Sequence, residues 1–157
     1  MKIAMVVSGG GHLDEALALE QAFCGHEAFL MIYDLRKSLK NFSHPFFSRI
    51  YRLRLFSSSG PGLYLSLFMH LFECLWIFVK ERPDVLFSTG SEIAVLPFYL
   101  GKFLFRTKTI FLETVTRPQT PSRTAKWLYP VSDFFLVQWA GLLKYFGPKA
   151  AYAGKIL

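Results

Sequence analysis

Short unbroken apolar runs alternate along this chain with stretches whose apolar positions recur every three to four residues. Lys2 to Val7 is the first run, rich in β-branched residues and closed by a glycine cluster. That pattern predicts a central parallel strand covered on both faces. From His12 the spacing changes: Leu13, Ala16, Leu17, Leu19, Glu20 and Phe23 fit one amphipathic helix. Asp14 and Glu15 sit in its first turn, where carboxylates suit the positive end of the helix dipole. Glu27 to Leu35 reads as the next strand, which completes a right-handed βαβ unit.

The alternation resumes at Arg82-Pro83, whose proline ends a preceding helix. Asp84 to Ser88 predicts a strand, Thr89 to Glu92 a second strand-to-helix turn, and Ile93 to Phe105 a helix. Lys108 to Glu113 predicts a strand, Pro121 to Tyr129 a helix with its proline near the first turn, and Phe134 to Gln138 a strand. A short helix over Leu142 to Phe146 and a strand stub over Ala151 to Gly154 close the chain. Together these elements predict one α/β domain over residues 1–157: an open, mostly parallel Rossmann-like sheet with helices on both faces. There is no internal repeat and no linker tract.

Residues 36–80 interrupt this rhythm. Arg36, Lys37 and Lys40 open the stretch, and Phe46 to Phe56 then interleaves aromatics with arginines. Leu63 to Val79 is almost wholly apolar but carries Glu73 near its middle, and it is too short for a conventional spanning helix. Part of it must be a core helix. Phe46, Phe47, Arg49, Tyr51, Arg52, Arg54 and Phe56 combine cations and aromatics in the way that suits a membrane interface.

Composition points the same way. Hydrophobic residues make up 52% of the 157, with 17 phenylalanines, so some apolar surface should meet a lipid surface or a protein partner. A formal charge of +7 gives that partner an anionic character. So much apolar interleaving argues against nucleic acid. Cys24 and Cys74 lie far apart in apolar helical patterns without metal-ligand spacing, and read as reduced core thiols. The N-terminus has no signal-peptide character, which places the protein on the cytoplasmic side.

Candidate chemistry collects at the strand ends. Gly9, Gly10 and Gly11 let an anion approach the backbone, and the following helix aims its free N–H groups at the same spot. Asp14 stands where a dinucleotide fingerprint needs its third glycine, and the Gly-Lys-Ser/Thr ending of a Walker A loop is missing. Another phosphate or pyrophosphate ester fits better. His12 is placed to hydrogen-bond that phosphate, to act as a general base, or simply to cap its turn. Thr89, Gly90, Ser91 and Glu92 open on the same edge, although Ser91 is also a plausible helix cap. Glu113 ends a third strand beside Thr114, Thr116 and Arg117; a carboxylate and an arginine there would orient a sugar hydroxyl and a phosphate. Trp139 would stack on a sugar or plug the core.

The segments Ser8 to Leu13, Arg82 to Val85, Ser88 to Ile93, Phe111 to Arg117, Tyr129 to Asp133 and Leu136 to Trp139 occur in one order. In this they resemble the membrane-associated subunit of two-part GT-B glycosyltransferases. That family includes the eukaryotic subunit acting on dolichyl pyrophosphate and bacterial capsule and exopolysaccharide proteins. The turn at His12 is more distantly similar to that of the peptidoglycan N-acetylglucosaminyltransferase. The resemblance implies the N-terminal, acceptor-side half of a GT-B fold, stopping near Gly154 where a linker would begin. It implies an inverting transfer from a UDP-sugar, bound by a separately encoded partner, to a polyprenyl-pyrophosphate-linked sugar. His12 would be the base with Glu113 second, and Gly9 to Gly11, Thr89 to Glu92 and Arg117 would hold the pyrophosphate. No metal or cofactor is called for. Eukaryotic members usually begin with a spanning helix, which this sequence lacks. That departure favours a bacterial type in surface polysaccharide synthesis, attached peripherally to an anionic membrane. A different class of function is a non-catalytic scaffold that only anchors and activates the partner.

Overall fold

The computed structural model describes residues 1–33, 39–53 and 61–156, with residues 61–63 described by backbone alone. Arg36, Lys37, Arg54 and Phe56 lie outside the described residues.

Seven strands form one sheet in the order β3-β2-β1-β4-β5-β6-β7, and every pairing is parallel. They are β1 (Lys2–Ser8), β2 (Glu27–Tyr33), β3 (Phe47–Arg52), β4 (Val85–Ser88), β5 (Lys108–Leu112), β6 (Phe134–Val137) and β7 (Ala150–Tyr152). Among the described residues four α-helices accompany them: α1 (Gly11–Ala18), α2 (Pro61–Glu81), α3 (Val95–Phe103) and α4 (Arg123–Leu128).

The continuous apolar runs work as central strands because their side chains alternate between two cores. Ala4 and Val6 of β1, with Phe29, Leu86, Phe111 and Phe135, pack under Cys74, Ile77 and Phe78 of α2 and Phe98 of α3. Ile3, Met5 and Val7, with Leu30, Ile32 and Phe87, meet Leu13 and Ala16 of α1 on the opposite face. Helices therefore cover both faces of the sheet, as the pattern requires.

Three expectations need correction. The helix beginning at the glycine turn stops at Ala18, and a 3-10 turn over Glu20–Phe23 continues the path. Cys24 consequently sits exposed at the end of that turn, while Cys74 is buried and its thiol is pushed up by that burial. The third correction concerns the basic aromatic stretch, part of which is the edge strand β3. Phe47 is buried in the second core. Arg49 Nη1 donates to both oxygens of Glu81, at 2.8 and 2.9 Å, and the Tyr51 hydroxyl donates to the same carboxylate.

Glu81 is fully enclosed and also accepts from Lys2 Nζ at 2.8 Å. Burial alone would raise its carboxyl. The hydrogen bonds from Lys2, Tyr51 and Arg49 outweigh that and hold it down at about 2. One carboxylate thus ties the first strand, the edge strand and the end of α2 together. The helix terminates at Arg82, whose φ of 48° is left-handed, and Pro83 prevents its continuation.

Candidate functional site

The central neighbours β1 and β4 lead away in opposite directions, β1 towards β2 and β4 towards β5. Open α/β sheets hold ligands in the crevice at such a switch point, outside the carboxyl ends of the strands. A cavity of about 820 Å³ lies there. Ser8 and His12 line it from the β1 side and Gly90, Ser91 and Glu92 from the β4 side. Thr114, Thr116 and Arg117 contribute from beyond β5, and Ser122, Arg123 and Lys126 from the start of α4.

The glycines act through the backbone. Gly10 stands at the N-terminus of α1 with φ 92° and ψ −145°, a conformation that only glycine adopts without strain. Gly9 N–H is committed to the Tyr33 carbonyl at 2.9 Å, which pins the turn to β2. Gly11 and His12, the first residues of α1, keep amides that the helix itself cannot satisfy. Gly9, Gly10 and Gly11 shape the turn behind the cavity wall rather than forming the wall.

His12 is held from both sides by the second turn. Its Nδ1 lies 2.8 Å from the Thr89 carbonyl, and Thr89 Oγ1 donates to the His12 carbonyl at 2.7 Å. A carbonyl only accepts, so Nδ1 carries the proton in that bond. The Nε2 of the neutral ring is then left with its lone pair. Gly90 makes the arrangement sterically possible: it has φ 110°, and a Cβ there would stand 3.2 Å from His12 Cε1. Thr89 is buried and acts through His12, while Gly90, Ser91 and Glu92 face the cavity. Ser91 makes no capping hydrogen bond.

Glu113 lies behind the wall, fully buried. Its two oxygens accept from Ser122 N–H at 3.1 Å and Ser122 Oγ at 3.0 Å. Burial drives its carboxyl up to about 7, and the two Ser122 hydrogen bonds and the Arg117 charge only partly counter that. Ser122 Oγ in turn accepts from Ala125 N–H at 2.9 Å and caps α4. The chain from Glu113 through Ser122 thus fixes the helix start that carries Arg123 and Lys126.

Sequence reasoning missed Ser122, Arg123 and Lys126 because α4 reaches the cavity only through the tertiary fold. The density of hydroxyls from Thr114 to Thr124 was the available signal. Glu15 was missed as well. It is buried, and its Oε1 accepts from Thr114 Oγ1 at 2.7 Å and Val115 N–H at 3.0 Å, bracing the loop after β5. Its Oε2 has no hydrogen-bond partner among the described residues. Gln138 and Trp139 prove structural. Gln138 donates to the Glu113 carbonyl at 3.1 Å, and the Trp139 indole donates to the Val115 carbonyl at 2.7 Å.

Electrostatically the cavity has a cationic side. Arg117, Arg123 and Lys126 are exposed, and among the described residues none of them makes a salt bridge. Among the described residues of the wall, Glu92 is the one carboxylate. Hydroxyl donors between guanidinium groups and free helix amides suit a phosphorylated ligand that also carries hydroxyls.

Comparison with known proteins agrees with this geometry. The sequence pattern of the family described as "Oligosaccharide biosynthesis protein Alg14 like" matches residues 3–156. The human UDP-N-acetylglucosamine transferase subunit ALG14 is 27% identical over 114 residues, which is 69% of this chain and 52% of that protein. The Kluyveromyces lactis subunit of the same name is 41% identical over 84 residues, 50% of this chain and 35% of that protein. The chain thus spans about half or less of the length of these relatives. Among solved structures, MurG of Acinetobacter baumannii superposes with a TM-score of 0.76 at 15% identity, over 97% of this chain and 45% of MurG. The Methanocaldococcus jannaschii UDP-GlcNAc 2-epimerase, in a complex with UDP-GlcNAc and UDP, gives 0.71 at 14% identity, over 99% and 47%. These likenesses fix the fold as one half of the GT-B arrangement.

Proposed function

The chain belongs to the family of Alg14-like oligosaccharide biosynthesis proteins, and on that footing we propose that it is the acceptor-side subunit of a two-component glycosyltransferase. The donor UDP-sugar is held by a separately encoded partner. This chain holds a polyprenyl-pyrophosphate-linked sugar at the membrane and completes the active site. Two relatives are named UDP-N-acetylglucosamine transferase subunits, which favours N-acetylglucosamine as the sugar transferred. Those relatives, from Homo sapiens and Kluyveromyces lactis, give no support to a bacterial or capsule setting. The reading does not depend on one.

The observation that carries the proposal is His12 Nδ1 fixed on the Thr89 carbonyl at the rim of a cavity lined by Arg117, Arg123 and Lys126. In an inverting transfer the acceptor hydroxyl attacks the anomeric carbon of the donor as the bond to the UDP oxygen breaks. The hydroxyl proton must leave, and His12 Nε2 is the acceptor with the right tautomer. The Thr89 carbonyl stabilises the imidazolium that forms. The cations and the free amide of His12 offset the pyrophosphate charge. Glu113 is a positioning residue in this scheme, because both of its oxygens are occupied by Ser122.

Peripheral membrane attachment follows from a different part of the chain than the arginine-aromatic strand. No helix among the described residues is long and apolar enough to cross a membrane. Yet α2 exposes Leu65, Phe68, Met69, Phe72, Trp76 and Val79, an apolar face of the kind that lies in a lipid interface.

The test is reconstitution with the donor-binding partner, labelled UDP-N-acetylglucosamine and a polyprenyl-pyrophosphate-sugar acceptor. His12→Ala should lower turnover by roughly 10²-fold or more while the complex still assembles. Undiminished turnover in His12→Ala would leave this chain as a membrane scaffold.

A further inference from the structure

A second large cavity, of about 770 Å³, adjoins the first. It is a groove between the first half of α2 and the start of α3, and its volume lies in the range of small-molecule sites. Leu67 and Leu71 of α2, Ile93 before α3, and Leu96 and Tyr99 within α3 form its walls, with Trp127 of α4 at one end. Tyr99 Oη donates to the Trp127 carbonyl at 3.1 Å, joining α3 to α4 at that end. Besides the weakly acidic phenols of Tyr64 and Tyr99, His70 and Glu92 are the ionisable groups among its described lining residues. His70 is buried, and burial lowers its tendency to protonate, so the groove stays essentially apolar.

Two contacts join this groove to the polar cavity. Glu92 lines both. Lys126 lines the polar cavity and its chain neighbour Trp127 lines the groove. A molecule crossing between them passes from a cationic, hydroxyl-lined chamber into an apolar trough within one residue step. Phe68 belongs both to the groove and to the exposed apolar face of α2, so the trough opens onto the surface assigned to the membrane.

We propose that this groove is the subsite for the polyprenyl chain of the acceptor, holding the isoprene units next to the pyrophosphate while the pyrophosphate and sugar occupy the adjoining polar cavity. The inference rests on the acceptor reading above and names the part of the chain that grips the lipid. Alternative occupants fit less well. A peptide helix would bring backbone and polar flanks to a trough with few polar partners, and a sugar would find few of its hydroxyls matched. A hydrocarbon tail needs no partners, and the cations next door match the headgroup that such a tail carries. Drawing one lipid out of the bilayer in this way would also present its pyrophosphate at the switch point instead of at the membrane plane.

Calorimetry on the full chain tests this with soluble probes: inorganic pyrophosphate, geranyl pyrophosphate, farnesyl pyrophosphate and farnesol, all without detergent or vesicles. Affinity should rise from pyrophosphate to farnesyl pyrophosphate by tenfold or more, since burial of about two methylene groups already accounts for that factor. Leu67→Gln and Leu96→Gln should erase that gain and leave pyrophosphate binding unchanged. Leu67 is 46% exposed, so its replacement tests the groove without threatening the fold. Arg123→Ala should weaken all three phosphorylated probes and spare farnesol. Equal affinity for pyrophosphate and farnesyl pyrophosphate would overturn the groove while leaving the acceptor reading standing. Failure of every phosphorylated probe to bind would overturn the acceptor reading, and the groove with it. A gain that disappears only in Phe72→Ser or Trp76→Ser, which lie outside the groove, would assign the tail to the open face of α2 and equally reject the proposal.

Discussion

At the scale of single residues, the site depends on two turns that fit into each other. Gly90 approaches the His12 ring so closely that even a methyl group is crowded, and its φ of 110° disfavours any side chain. Gly90→Ala should therefore cost about 1 kcal/mol or more in stability. It should also reduce turnover of the complex further than the stability loss explains, because the displaced ring loses its bond to Thr89. Thermal unfolding and single-turnover rates on the same preparation separate the two effects. Turnover that falls no more than the folded fraction does would show that His12 orientation is immaterial.

Two buried carboxylates give the molecule opposite pH responses. Glu81 is held at about 2 in the folded protein, below its ordinary value of 4.5. Its contribution to stability is fully present above the ordinary carboxylate range and is lost as pH falls from 4.5 towards 2. Glu113 is raised from 4.5 to about 7, so the folded protein binds its proton more tightly than the unfolded chain. That contribution is present below pH 4.5 and is lost as pH rises through 7. Glu113→Gln should flatten the decline of stability between pH 4.5 and 7, measured by urea midpoints across that range. An unaltered slope would mean that Glu113 ionises as freely as an exposed carboxylate.

Among the secondary-structure elements, α4 matters out of proportion to its six residues. Ser122 caps it and simultaneously satisfies Glu113, so Ser122→Ala removes the cap and strips a hydroxyl donor from a buried carboxyl. Loss of the cap alone is worth about 1 kcal/mol. The helix start that presents Arg123 and Lys126 should loosen, and acceptor KM should rise more than kcat falls. Ser122→Thr keeps the hydroxyl and should restore KM; a matching defect in both variants would trace the effect to packing.

The elements also show what a sequence reveals and what it conceals. β1, β4, β5 and β6 are legible because strands buried on both faces must be continuously apolar and must end in turn residues. β3 is not. As an edge strand it carries Ser48, Arg49 and Arg52 among its aromatics, and Arg49 looks like a membrane cation until Glu81, 32 residues away, claims it. The same limit applies to the site. His12 and Gly90 are visible as turn chemistry, whereas Glu15 and Ser122 acquire meaning only from partners 99 and 9 residues distant. Local pattern specifies elements; it does not report which side chains the sheet order brings together.

On the scale of the whole molecule, the proposed membrane attachment would divide its work between charge and apolar surface. The formal charge of +7 favours approach to an anionic surface but is screened over roughly 8 Å at physiological salt. On that proposal retention comes from insertion, and α2 carries the exposed apolar side chains that would insert. Phe72 is 54% exposed and Trp76 56% exposed, and Lys80 Nζ lies 4.5 Å from the Trp76 ring centroid, where its charge can reach headgroups. Full burial of a large apolar side chain is worth about 1.5–3 kcal/mol, so losing half of that from each should weaken binding by roughly ten- to a hundredfold for the pair. Phe72→Ser combined with Trp76→Ser should lower partitioning onto vesicles containing phosphatidylserine by about that factor at 0.15 M salt. Phe46→Ser, in the stretch ahead of β3, should change it little. The reverse ranking would return membrane contact to the basic aromatic segment around β3 and leave the apolar face of α2 for a protein partner.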